Sequence, residues 1–140
     1  MARIFQTIEI QAPADDVWRL AGRPDCIAEF HPDVAASRLD GDYRTCELLD
    51  GTRIVEHIVD RSIVHRFYTY ELTESASPIR WYRGCLAVRG HGDHSHVDWD
   101  LEIQSEPQED TCLLARGIAD ACGQALGLLR ERLETKLAAA

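Results

Sequence analysis

The chain has 140 residues and carries 15 basic against 24 acidic side chains, for a formal net charge of −9. That is about the length of one ordinary domain, so residues 1–140 are expected to fold as a single unit. The acidic balance argues against nucleic acid and anionic membranes as partners, since both call for a basic surface.

Arg3 to Ile10 alternates Ile4, Gln6, Ile8 and Ile10 against Phe5, Thr7 and Glu9, the period of a strand. Ala12-Pro13-Ala14-Asp15-Asp16 then opens a short helix, with proline suited to its first turn and the acids to its positive end. Val17, Trp18 and Leu20 supply its apolar face, with Trp18 expected in the core, and Gly22-Arg23-Pro24 breaks it. A second short helix is expected over Asp25–Phe30, stopped by His31-Pro32 because the residue before proline avoids helical angles. Six strands follow: Val34–Leu39, Tyr43–Leu49, Thr52–Asp60, His65–Thr73, Arg80–Arg89 and His96–Ser105. Asp50-Gly51 marks a hairpin. In the last strand Val97, Trp99, Leu101 and Ile103 alternate with His96, Asp98, Asp100 and Glu102, so the sheet has one apolar and one wet face. A long helix closes the chain from about Glu109 to Leu137, with Ile118, Cys122, Leu126, Leu129, Leu133 and Leu137 at helical spacing.

Strands joined by short turns pair antiparallel. A seven-stranded sheet with one buried face needs a cover, and the long helix is the cover available. The expected architecture is therefore α+β. No run of about 18 apolar residues points to a membrane span, and Met1–Gln6 turns polar too soon for a signal peptide. The five cysteines are odd in number and form no CxxC, which disfavours a disulfide framework or a zinc ribbon and fits a reducing cytoplasm. No dinucleotide fingerprint, phosphate loop or nucleophile elbow occurs, so no nucleotide cofactor is expected. The chain is expected to be a monomer or a homodimer.

Several segments together resemble the START-like, or SRPBCC, superfamily, and within it the polyketide cyclase/dehydrase type. They are Ile8-Glu9-Ile10-Gln11-Ala12-Pro13-Ala14-Asp15-Asp16-Val17-Trp18, Phe30-His31-Pro32, Arg44-Thr45, Asp50-Gly51, Glu56, Tyr68-Thr69-Tyr70, Pro78, Tyr82 and Trp99. The resemblance covers nearly the whole chain. It implies a helix-grip fold, in which the curved sheet wraps the C-terminal helix and leaves an apolar cavity for a small hydrophobic molecule. It does not imply one function, because the superfamily includes carriers, receptors, cyclases and hydrolases.

On that fold the inward faces carry Val97, Trp99, Leu101 and Ile103; Tyr82, Gly84, Leu86 and Val88; Arg66, Tyr68, Tyr70 and Leu72; and Ile54, Glu56 and Ile58. A two-residue turn at Asp50-Gly51 would set Thr45 and Glu47 beside Glu56, whereas a three-residue loop with a glycine bulge would set Arg44, Cys46 and Leu48 there. The second register is preferred because it groups the more apolar set. An acid on an apolar face is costly unless paired or protonated. Glu56 is thus expected to act as an acid/base with a raised pKa, to accept from a ligand hydroxyl, or to pair with Arg44 or Arg66. Tyr68, Tyr70, Tyr82 and Trp99 are expected to line the pocket, with Phe30 and His31 at its mouth. If the protein is an enzyme, Glu56, Tyr70 and His31 are its candidate catalytic groups. Gly123 and Gly127 share one helix face, where they either leave room for ligand or let the helix pack closely. His91, His94 and His96 have a spacing that could hold a divalent ion, but they flank a turn in which Gly and Asp are expected anyway, so no metal is assigned.

Overall fold

The computed structural model describes residues 1–74 and 78–138, with side chains to residue 136. Strands β1 (Ala2–Ile10), β2 (Val34–Asp40), β3 (Tyr43–Leu48), β4 (Arg53–Ser62), β5 (Phe67–Leu72), β6 (Ile79–His91) and β7 (His94–Ser105) form one antiparallel sheet in the order β1-β7-β6-β5-β4-β3-β2. Helix α1 (Ala14–Ala21) and a 3-10 helix (Pro24–Glu29) lie between β1 and β2, and α2 (Thr111–Ala138) follows β7. The seven strands and the long helix match the expected helix-grip architecture.

The register follows from turn chemistry. Leu49-Asp50-Gly51 forms a three-residue loop, closed by the Leu48 amide donating to the Thr52 carbonyl at 2.8 Å, with Gly51 at φ +89°. This left-handed angle is one that glycine adopts without a Cβ penalty. The loop pairs Arg44 with Glu56 across β3 and β4 and turns Arg44, Cys46 and Glu56 to the buried face. The preferred register is thus the one observed.

Several boundaries differ from expectation, three of them informatively. The second short helix is a tight 3-10 turn beginning at Pro24, consistent with a segment of only six residues. Strand β5 starts at Phe67, because residues 63–66 form the preceding turn and Arg66 takes a left-handed φ of 53°. That angle removes Arg66 from the inward face, and its guanidinium pairs with Asp15 at 2.7 Å instead of with Glu56. The β6–β7 hairpin runs to His91 and His94 around the turn residues Gly92 and Asp93.

Helix α2 begins after Asp110, whose carboxylate accepts the Leu113 amide at 3.2 Å, an N-cap contact. By length and composition Thr111–Lys136 could cross a membrane, contrary to the sequence expectation. In the fold it packs on β1 and β7, and Cys122, Ala125, Leu126, Leu129 and Leu133 enter the core. The side chain of Leu137, the last residue of the expected stripe, lies outside those described. Trp18 packs partly buried against the core.

Candidate functional site

Between the sheet and the N-terminal half of α2 lies a cavity of about 450 Å³. Its walls are mainly apolar: Ile27, Val34, Leu48, Ile54, Ile79 and Leu101 from the 3-10 helix and the sheet, and Leu113, Leu114, Gly117, Ile118, Ala121 and Cys122 from α2. The cavity is open to solvent, and Leu113 on its wall is exposed. Seven lining residues carry polar or charged chemistry, namely His31, Asp33, Arg44, Glu56, Tyr70, Tyr82 and Trp99.

A buried ion pair organises one side. Arg44 Nε donates to Glu56 Oε1 at 2.7 Å, and the two side chains are 1% and 7% exposed. Arg44 Nη1 also donates to the Pro24 carbonyl at 2.9 Å and to the Tyr68 hydroxyl at 3.0 Å. The guanidinium lies 4.8 Å from the Tyr70 ring centroid. Burial works against the charge on Arg44, but the Glu56 carboxylate outweighs it and holds the guanidinium well above its usual pKa. The second carboxylate oxygen of Glu56 accepts a short hydrogen bond from the Tyr82 hydroxyl. Burial first, and then the Glu56 charge, push the Tyr82 phenol well above its usual pKa. Both oxygens of Glu56 are therefore engaged, as the cost of a buried carboxylate requires.

Trp99 organises the other side. Its indole Nε1 donates to the Tyr70 hydroxyl at 2.8 Å, and its ring meets that of His31 edge-on. Tyr70 lies over Gly84, its cross-strand partner on β6, and a Cβ on Gly84 would sit 2.3 Å from the Tyr70 ring. Glycine at that position is what lets the phenol lie flat against the sheet. Burial and the nearby Glu56 carboxylate push the Tyr70 phenol well above its usual pKa. His31 Nδ1 accepts the Asp33 amide at 3.1 Å, and burial lowers the imidazole pKa. The Cys46 and Cys122 thiols also line the cavity, and burial pushes each up to about 12.

Of the expected site residues, His31, Arg44, Glu56, Tyr70, Tyr82 and Trp99 share this cavity. Four others do not line it. Tyr68 is fully buried behind Arg44, where its hydroxyl accepts the guanidinium. Phe30 is buried beside a separate surface groove between the 3-10 helix and the C-terminal half of α2. Gly123 faces Gln6 on β1, where an added Cβ would make ordinary contact at 3.7 Å. Gly127 lies a further turn along α2, away from the cavity. The glycine that does line it is Gly117, four residues before Ala121, a small-residue pair at helical spacing beside the apolar stripe. Leu113 and Ile79 were also missed, since each sits just inside the end of an element. His91, His94 and His96 cluster on the outer face, His91 stacked on His94, yet among the described residues no three side chains are arranged to hold a metal ion.

The curved seven-stranded sheet gripping a long C-terminal helix is a START-like, helix-grip fold. Solved structures with this fold include a START superfamily protein from Mycobacterium smegmatis (TM-score 0.81, 10% identity, 95% of this chain and 97% of that one). A protein from Thermobifida fusca is 29% identical over 95% of this chain and 93% of its own, with a TM-score of 0.74. The di-domain ARO/CYC protein BexL, from the BE-7585A biosynthetic pathway, matches with a TM-score of 0.80 at 14% identity, over 96% of this chain and 47% of that one. No curated protein sequence matches. Residues 1–134 match the family model "Polyketide cyclase / dehydrase and lipid transport", and the chain belongs to that family.

Proposed function

We propose that the protein binds one small, largely hydrophobic molecule, of aromatic polyketide, lipid or isoprenoid type, in the cavity between the sheet and α2. The observation that carries this reading is the cavity itself: apolar walls interrupted by a few fixed polar groups, with a volume in the usual range for small-molecule sites. Arg44, Glu56 and Tyr82 set the ligand's orientation at one wall, and Tyr70, Trp99 and His31 at the other. The compartment we assign is a reducing cytoplasm, in keeping with five free cysteines.

A second reading is an enzyme of the cyclase, dehydratase or hydrolase type. It is favoured by three groups capable of acid–base chemistry in one cavity, Glu56, Tyr70 and His31, with Glu56 as acid/base and the tyrosines orienting a substrate carbonyl. Binding ranks first because both Glu56 oxygens already have partners.

The test is incubation with a panel of polyketides, fatty acids and terpenoids, followed by desalting and mass spectrometry of bound and free fractions. A compound recovered bound and unchanged supports the carrier. One recovered with water lost or gained, or with a ring closed, makes the protein an enzyme. A panel that yields nothing bound and nothing changed overturns both readings.

A further inference from the structure

We propose that Tyr70 and His31 act as hydrogen-bond donors on either flank of Trp99, and that they select an uncharged, carbonyl-bearing ligand over a carboxylate. This rests on the cavity reading above and narrows it to a ligand class.

The argument is an inventory of protons. An indole N–H only donates. The Tyr70 oxygen therefore receives the Trp99 hydrogen, and its own hydroxyl proton points elsewhere. Among the described residues no side chain or carbonyl accepts that proton. A phenol that accepts one hydrogen bond becomes the stronger donor of the next. Burial keeps the proton on the oxygen. At His31 the Asp33 amide occupies Nδ1, so that nitrogen carries no proton. Burial disfavours the imidazolium, which leaves the one ring proton on Nε2. Both residues thus present donors, and both line the cavity.

The charge inventory points the same way. Among the lining residues one side chain is formally positive, Arg44, and two are negative, Asp33 and Glu56. Arg44 is already matched by Glu56 at 2.7 Å. A ligand carboxylate would leave water without finding an unmatched cation. A ketone oxygen leaves water at lower cost and finds a waiting donor.

The experiment is equilibrium dialysis with three probes of matched shape: 2-acetylnaphthalene, 2-isopropylnaphthalene and 2-naphthoate. The ketone is expected to bind at least about tenfold more tightly than the carboxylate. Tyr70→Phe keeps the ring over Gly84 and removes the hydroxyl, both its proton and the oxygen that accepts Trp99 Nε1–H. It is expected to cut the ketone-to-hydrocarbon preference by about five- to tenfold, the worth of one net hydrogen bond. Circular dichroism checks that the variant is folded. Long-range ¹H–¹⁵N spectra are expected to place the His31 proton on Nε2. A carboxylate that binds as well as the ketone, a preference unmoved by Tyr70→Phe, or a proton on His31 Nδ1 overturns the proposal. If the hydrocarbon binds in those cases, the cavity reading stands alone. If no probe binds, both fall.

Discussion

Replacing Glu56 with glutamine is the natural way to ask whether this site is catalytic, and the structure says what the change does to the fold first. The Arg44 and Glu56 side chains are 1% and 7% exposed, and the carboxylate bridges Arg44 to Tyr82. Glutamine retains one acceptor oxygen but offers an N–H₂ group where the second oxygen accepted a hydroxyl, and it leaves Arg44 as an unmatched buried charge. Removing one member of a buried pair costs about 3–5 kcal/mol, a large share of the roughly 5–15 kcal/mol that holds a domain together. For a chain of this length that corresponds to a fall in Tm on the order of 10–15 °C. Replacing both members by apolar residues, as in Arg44→Met with Glu56→Leu, is expected to recover most of the loss, because neither charge then needs a partner. The assay is thermal and urea unfolding of wild type, both single variants and the double variant. If Glu56→Gln lowers Tm by less than about 2 °C, or if the two single losses simply add, the buried pair is not the strut described above. Activity lost by Glu56→Gln therefore counts as chemistry only at a temperature where the variant is shown to be folded.

Three further outcomes follow from local geometry. A Cβ on Gly117 would meet nothing within 4 Å, so Gly117→Ala should stabilise the protein by about 0.8–1 kcal/mol through helix propensity alone; a lower midpoint in urea unfolding contradicts this. Gly84→Ala should do the reverse, costing about 1–3 kcal/mol as the Tyr70 ring is forced off the sheet, with a changed near-ultraviolet circular dichroism signal as the second readout. His31 has a folded-state pKa depressed by burial, so the unfolded chain takes up its proton first. The His31 contribution is therefore intact above about pH 6.5, the unfolded value, and is lost as pH falls through the folded pKa. Unfolding curves for wild type and His31→Gln between pH 8 and pH 5 should diverge on the acid side, with the wild type falling more steeply, and parallel curves would refute it.

Much of this fold was legible because its signals are periodic. Alternation in β7 and the four-residue spacing of Ile118, Cys122 and Leu126 each fix a face without any tertiary information. The hairpin register was legible too, since one glycine bulge decides whether Arg44 or Thr45 joins Glu56. Where expectation failed, the cause was local backbone conformation. Arg66 alternates correctly with Tyr68 and Tyr70, but its left-handed angle rotates it out of the pattern. Tyr68 and Tyr70 share a face and still differ in role, because Arg44 reaches across and takes the Tyr68 hydroxyl, a contact between strands that are not neighbours. Gly117, Gly123 and Gly127 look alike in sequence. Only the placement of α2 along the sheet gives Gly117 to the cavity, Gly123 to β1, and Gly127 to neither.

The cavity thiols bear on which chemistry this site supports. Cys46 and Cys122 are buried, and each thiol is pushed up to about 12 by that burial, Cys46 further by the Glu56 carboxylate beside it. At pH 8 a thiol of that pKa is ionised to about one part in ten thousand, whereas a free cysteine at about 8.5 is ionised to roughly a quarter. Since the thiolate is the nucleophile, covalent catalysis through either residue is disfavoured by more than three orders of magnitude before access is considered. Cys112, on the exposed side of α2, has no such burial. Iodoacetamide labelling of the native protein at pH 8, read by peptide mass spectrometry over time, should therefore modify Cys112 and leave Cys46 and Cys122 intact until the fold is opened with denaturant. Labelling of Cys46 or Cys122 at a rate comparable with Cys112 in the native state would mean that the cavity stabilises a thiolate. In that event the reaction class would have to be rebuilt around sulfur. With both thiols silent, the polar chemistry of the cavity falls to oxygen and nitrogen groups: the Asp33 and Glu56 carboxylates, the Tyr70 and Tyr82 phenols, the His31 imidazole, the Trp99 indole N–H and the Arg44 guanidinium.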